Sequence, residues 1–277
     1  RLERRELMVG SYGYTNIRGT VTAPADAVWM RMAYGLRSCT GWAAFDDVEF
    51  QTRPGKATEV AARAVPLEAS RYRWTSVDLS GVVNRALMDE TPDDGQGGWT
   101  DQGAAADMRN LPTGRQTWQG VDYSILPAEK AAVVLRSPQR PQSATLPEAV
   151  EIPVNARAAV VAFLHTGAWV ARDVENWRYV VQYADGQEAV VKMVGGRNLA
   201  DWTDTPPDSA FEADPARGWT RLAVTVGSSR FPTVSAYSTL WRNPRPDVEI
   251  RSIRMVAAGT GVPVLLAVSL GQPAAAP

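Results

Sequence analysis

The side chains best placed to do chemistry sit in two glycine-containing stretches. The first is GGWTDQGAAADMRNLPTGRQTWQG, residues 97–120. In it Asp101, Asp107 and Asn110 offer oxygen donors, and a hard cation such as calcium takes about six to eight oxygens. The spacing is not that of an EF-hand loop. The same residues allow a plainer reading, in which Arg109 pairs with Asp101 or Asp107 and fixes a long connection through a two-pronged ion pair. Trp99 stands beside Asp101 and Gln102. The second stretch, GGRNLADW (195–202), places Trp202 next to Asp201, with Arg197 and Asn198 in the same loop. An indole face can stack on the C–H face of a sugar ring. Carboxylate, amide and guanidinium groups can then replace the water its hydroxyls lose. Residues 99, 102, 197, 198, 201 and 202 are therefore the candidate carbohydrate contacts, with Trp202 preferred. The competing expectation at Trp202 is a packed ring behind an Asp-capped turn.

Other chemistries are restricted by count. One cysteine, Cys39, permits no internal disulfide, and one histidine, His165, permits no multi-histidine metal centre. His165 lies in VVAFLHTGAW, an apolar run without a Gly-x-Ser-x-Gly elbow, and reads as a hydrogen-bonded core residue. Asp46 and Asp47 are adjacent, so on a strand they point to opposite faces and cannot act as acid and base together. Asp89, Glu90, Asp93 and Asp94 cluster in MDETPDDGQGG, which reads as a solvated turn. A glycosidase would need two carboxyls about 5–9 Å apart across a bond. Gly195-Gly196 reads as a turn, since no strand-turn-helix unit surrounds it. The formal net charge of -1 argues against a nucleic-acid surface. No apolar run reaches the length of a membrane-spanning helix.

These residues must be held by β-structure. Helical periodicity is scarce, confined to a turn or two in ALMDE or PAEKAAVVL. Strand-like runs bounded by turn residues recur: TNIRGTVTA, VWMRMAYGL, WAAFDDVEF, AVVLRS, AAVVAFLHTGAW, VSAYSTLWRN, VEIRSIRMVA and VPVLLAVSL. WRYVVQYADGQEAVVKMV is the strongest hairpin signal, with Asp185-Gly186 at its turn. Ten tryptophans against five phenylalanines suit rings that are partly packed and partly wet. The expected class is all-β, as tandem antiparallel sandwiches. Residues 1–55 read as the C-terminal part of a first sandwich, 56–67 as a linker, 68–271 as a second sandwich and 272–277 as a tail. The opening RLERRELMVG reads as the interior of a longer protein.

Two resemblances follow from particular pieces. IRGTVTAPADAVWMRMAYGLRSCTGWAAFDDVEF (17–50) resembles the closing half of jelly-roll carbohydrate-binding modules, with WAAFDDV (42–48) in place of their WFDDV ending. VDLSGVVNRAL, GGWTDQGAAADMRNLPTGRQTWQGVDYSI, AVVLRS, VAFLHTGAW, YADGQEAVVKMVGGRNLADW and WRNPRPDVEIRSIRM resemble a galactose-binding-domain-like β-sandwich appended to bacterial polysaccharide-degrading enzymes. The resemblance implies a secreted or cell-surface bacterial setting and a non-catalytic role, binding polysaccharide or oligosaccharide or bracing the catalytic domain of the same polypeptide. A β-sandwich glycoside hydrolase or polysaccharide lyase, and a purely structural spacer, stand as alternatives. Calcium is the expected ion if a divalent ion binds, because oxygen donors are all that the composition supplies.

Overall fold

The chain divides into two units, Arg1–Ala64 and Val65–Pro277. The structure, a computed structural model, describes residues 68–140, 145–206, 211, 218–259 and 261–274. The expected first sandwich, the linker, Cys39 and the Asp46–Asp47 pair lie outside the described residues.

The described part is all-β. Its twelve strands are β1 (Tyr72–Ser76), β2 (Gly114–Trp118), β3 (Val121–Ile125), β4 (Val133–Val134), β5 (Ala149–Ala156), β6 (Val160–Ala168), β7 (Glu175–Tyr183), β8 (Glu188–Val194), β9 (Gly218–Val226), β10 (Val234–Arg242), β11 (Ile250–Ala257) and β12 (Val262–Pro273). No α-helix occurs among the described residues. PAEKAAVVL supplies one 3-10 turn, Ala128–Lys130, and then strand β4. Two larger sheets face each other, one ordered β1-β12-β6-β10-β9 with β4 also on β12, the other β5-β11-β7-β8. All pairings are antiparallel, and β2–β3 form a separate hairpin. The β7–β8 hairpin turns at Asp185–Gly186, as the sequence pattern indicates.

The central strands of the six-stranded sheet are buried on both faces, and this explains their sequence. Every residue of β6 is buried, as are the first ten of β12. A strand covered on both sides reads as a continuous apolar run instead of an alternation. In β6 one face (Val161, Phe163) joins the core between the sheets, with Trp177, Tyr179, Ile253 and Met255. The other face (Val160, Ala162, Leu164) joins a second core. That second core is roofed by the β2–β3 hairpin and by irregular chain carrying Leu87, Trp99, Met108 and Leu111, with Trp202 beside them. Residues 87–132 thus form a third layer over the sandwich, while Leu79 and Val83 before them reach the inter-sheet core, and this layer carries the acidic stretch. A register shift between Leu265 and Ala267 lets Leu265 and Val268 face the inter-sheet core while Leu266 and Ala267 face the roof.

His165 sits in the inter-sheet core, fully buried. Its Nδ1 is 3.1 Å from the Tyr179 hydroxyl and its Nε2 2.8 Å from Thr239 Oγ1. Thr239 is 2.7 Å from Thr220, whose hydroxyl donates to the Asn198 carbonyl at 2.8 Å. Each hydroxyl has one proton. With that of Thr220 spent on Asn198, Thr239 donates to Thr220, Nε2–H donates to Thr239, and Tyr179 donates to Nδ1. This assigns the neutral Nε2–H tautomer, and burial pushes the imidazole pKa down to about 3. The expected core histidine is what the structure holds.

Candidate functional site

Two loop regions gather polar side chains, and they meet through Trp99 and Trp202. The first is the roof loop of residues 88–109. Its backbone is tied by its own acids. The Asp107 carboxylate accepts from the backbone N–H of Asp89 at 3.0 Å and from the Arg109 guanidinium at 2.8–3.1 Å. Arg109 also reaches the Asp89 carbonyl and Glu90, each at 3.1 Å. The Arg109–Asp107 pairing is thus one of the two that the sequence allowed. Asn110 is taken elsewhere, donating to the Gly227 carbonyl at 2.8 Å.

Asp101 is brought together with two other acids. One carboxylate oxygen each from Asp89, Asp94 and Asp101 lies within 4.8 Å of the others. The set read from sequence joined Asp101 with Asp107 and Asn110; here Asp107 faces Arg109, and Asn110 pins the loop to the β9–β10 connection. Nor is Asp89 part of a solvated turn, being 2% exposed. Gly98 must be glycine for this packing, since a Cβ there would stand 2.5 Å from the Asp89 Cβ. The carboxylates keep lone pairs beyond their backbone bonds, which are Gly103 N–H to Asp89 (2.9 Å), Gly95 N–H to Asp101 (3.1 Å) and Gln96 N–H to Asp94 (2.7 Å).

Arg140 is the counter-charge of the cluster. It is 1% exposed and stands 3.8 Å from Asp101. It donates to the Trp99 and Gly98 carbonyls at 2.7 and 3.0 Å. Arg85 reaches the Gly95 carbonyl at 3.5 Å and also acts on Arg140 through its charge. Three carboxylates against two guanidiniums leave the cluster negative. Burial, and then the neighbouring Asp101 and Asp94 charges, raise the Asp89 pKa against the pull of the Gly103 N–H. The cluster opens on a cleft of ≈ 290 Å³ lined by Met88, Asp89, Glu90, Asp94, Gln96 and Glu129 among others. Asp89, Asp94 and Asp101 could hold a metal ion, with oxygen donors only.

The second region is a groove of ≈ 260 Å³ between the chain after β6 and the chain after β8, lined by Val170, Arg172, Gly196, Asp201 and Asp204 among others. Its two rims are pressed together. Asp173 N–H donates to the Gly195 carbonyl at 2.8 Å, and a Cβ on Gly195 would stand 2.0 Å from the Ala171 carbonyl oxygen. That contact accounts for Gly195, and a left-handed φ of 75° accounts for Gly196. Asp201 braces the floor, accepting from Val170 N–H at 3.2 Å and from the Thr203 N–H and hydroxyl at 3.1 and 2.9 Å. The Tyr237 hydroxyl lies 2.8 and 2.7 Å from the Asp201 and Asp204 carbonyls. Asp204 stays exposed to solvent, and its partial cover in the groove, then the Asp201 charge, raise its pKa.

The stacking rings expected in these loops point inward. Trp99 is 0% and Trp202 3% exposed, and they meet edge to face at 4.8 Å. Trp202 also packs on Phe231, and its backbone bonds Gly167 and Ser235 across the ends of β6 and β10. Neither ring offers a face to solvent. Asn198 spends both ends of its amide on its own turn, accepting from Val194 N–H and donating to the Lys192 carbonyl. Arg197 is half-exposed and 3.9 Å from Asp173. Gln102 is half-buried and outside both recesses. Of the expected carbohydrate contacts, Asp201 is the one that lines the groove. Sequence reasoning passed over Arg172, Asp204 and Trp169. Trp169 is 40% exposed and immediately precedes Val170.

No protein family matches. Neither does any curated protein of known function.

Proposed function

We propose that the described unit is a non-catalytic accessory module of a secreted bacterial polysaccharide-degrading enzyme, galactose-binding-domain-like in fold. In this reading it follows another jelly-roll module in a tandem, and it binds glycan or braces the catalytic domain of the same polypeptide. Its roof loop is held by calcium. The observation that carries the reading is the convergence of Asp89, Asp94 and Asp101 beside Arg140. A loop whose acids crowd one point and tie its own backbone is built to be held rigid, and a hard divalent cation fits an all-oxygen set. The rest is consistent. The single imidazole is sealed in the core, neutral and bonded at both nitrogens, so it is a poor candidate for a base. Asp201 spends one oxygen on its own turn at Thr203 and the other on the Val170 N–H across the groove. Among the described residues, no helix is long and apolar enough to cross a membrane.

The test is affinity electrophoresis of the intact chain in gels containing neutral and charged polysaccharides, with reducing-end release measured in parallel. Retardation without product is expected. Product release would make the protein a hydrolase or lyase. Neither retardation nor product would leave a spacer.

A further inference from the structure

The groove between the Trp169–Asp173 loop and the Gly195–Asp204 segment carries an inference of its own, resting on the carbohydrate reading above. We propose that it is the glycan site, that it takes one neutral sugar ring at a chain end or branch, and that Trp169 is its stacking platform.

Two observations concern Trp169, next to the lining residue Val170 in the chain, and two concern the groove itself. First, Trp169 is one of three large hydrophobic side chains left exposed among the described residues, and the only aromatic one. Second, its backbone is left-handed, with φ 52°, and it is the only aromatic among the described non-glycine residues with positive φ; most of the others are Asp or Asn, which tolerate that region. Glycine would relieve this at once. A strained, exposed, bulky residue that the fold does not need is the pattern of a functional position. Third, Arg172 lines the groove with its guanidinium against Gly196 and makes no hydrogen bond or ion pair with another described residue. Fourth, the exposed Asp204 carboxylate faces the same space and is close enough to feel both Arg172 and Asp201.

A flat apolar ring, a fork of donors and a carboxylate acceptor form the set that a pyranose needs, one face for stacking and hydroxyls at the rim for bonding. The volume, ≈ 260 Å³, falls just below the usual range of ligand pockets, about 300–1,000 Å³, which suits a single ring. Two carboxylates against one guanidinium disfavour a uronate or sulfated sugar.

The experiment is calorimetric titration of the intact chain with cello-, xylo-, manno- and galacto-oligosaccharides, and with oligogalacturonate as the charged comparison. Expected are binding by at least one neutral oligosaccharide, a tenfold or greater loss of affinity in Trp169→Gly with an equal or higher Tm, and a comparable loss in Asp204→Asn, which changes no volume. If a neutral oligosaccharide binds and both variants bind it as tightly as the parent, the groove is not the site, while the carbohydrate reading survives. Tightest binding to oligogalacturonate overturns the neutral-sugar assignment. Binding by none of the panel overturns the groove and the carbohydrate reading together.

Discussion

The roof loop and the groove are built from the same residue types and use them in opposite ways. In the roof loop the acids turn inward: Asp89, Asp101 and Asp107 are almost fully buried, bonded to backbone N–H groups and faced by Arg109 and Arg140. In the groove the charged groups turn outward, and Arg172 and Asp204 have little to hold them. The tryptophans divide the same way, Trp99 and Trp202 sealed, Trp169 wet. The difference teaches that a polar loop can be a brace or a receptor according to whether its polar groups are already satisfied. A satisfied set rigidifies what lies under it, while an unsatisfied one is open to a ligand.

The contrast can be broken most forcefully at the buried rings. Trp202→Ala or Trp99→Ala should cost about 3–5 kcal/mol in urea unfolding, the range for removing a buried aromatic. A loss under about 1 kcal/mol would mean the rings are not packed as described. Next is Arg140. Its removal strands Asp101 and Asp89 in the interior and frees the Gly98 and Trp99 carbonyls, so Arg140→Ala should cost about 3 kcal/mol or more. Millimolar calcium should restore part of that loss, by replacing the missing positive charge, and no restoration would separate the guanidinium from the acidic cluster.

A pH series sharpens the comparison from the sandwich side. His165 has a folded pKa near 3, below its unfolded value of 6.5, so its stabilising contribution is complete above pH 6.5. It drains away as pH falls toward 3, because the unfolded chain takes up a proton that the folded chain refuses. Chevron-free equilibrium unfolding at pH 7.5 and pH 5 should show this loss, and His165→Gln should flatten the slope. An unchanged slope in the variant would place the acid sensitivity elsewhere. Asp89→Asn is subtler. In chelator it should be neutral or stabilising by about 1 kcal/mol, since it removes a buried charge, and in calcium it should be destabilising. The same sign in both conditions would remove Asp89 from the ion site. The smallest effect belongs to the groove, where Trp169→Ala should change stability by no more than about 0.5 kcal/mol, as for an ordinary surface position.

Much of the scaffold was legible because it is written in local patterns. The β7–β8 hairpin could be found from Asp185–Gly186 between β-forming runs, and β6, β10, β11 and β12 from their apolar content. Strands β1, β5 and β9 were not singled out; AVEIPVNA alternates, but Pro153 inside it counts against a strand. The roof layer was also missed, because irregular chain packed over a sheet has no period. For the same reason the sequence did not show where the candidate site residues come to lie. Trp99 and Trp202 stand in loop-like sequence, and nothing local tells that the sheet face beneath them needs a cover. Trp169 ends a strand-like run, and nothing local tells that a left-handed turn at that residue swings it out. The Arg109–Asp107 pair was readable, being two residues apart. The meeting of Asp89 and Asp94 with Asp101, and of all three with Arg140, depends on how the loop folds back, and the sequence spacing does not encode it.

The division between brace and receptor stands or falls most directly on the thermal unfolding of the intact chain in chelator and in millimolar calcium, run beside Asp101→Asn. An ion bound only by the native state stabilises it by about 2.7 kcal/mol at a hundred times its Kd. The account predicts that calcium raises the Tm of the parent by several degrees, and that Asp101→Asn abolishes the response. A parent whose melting point is the same in both conditions would contradict it.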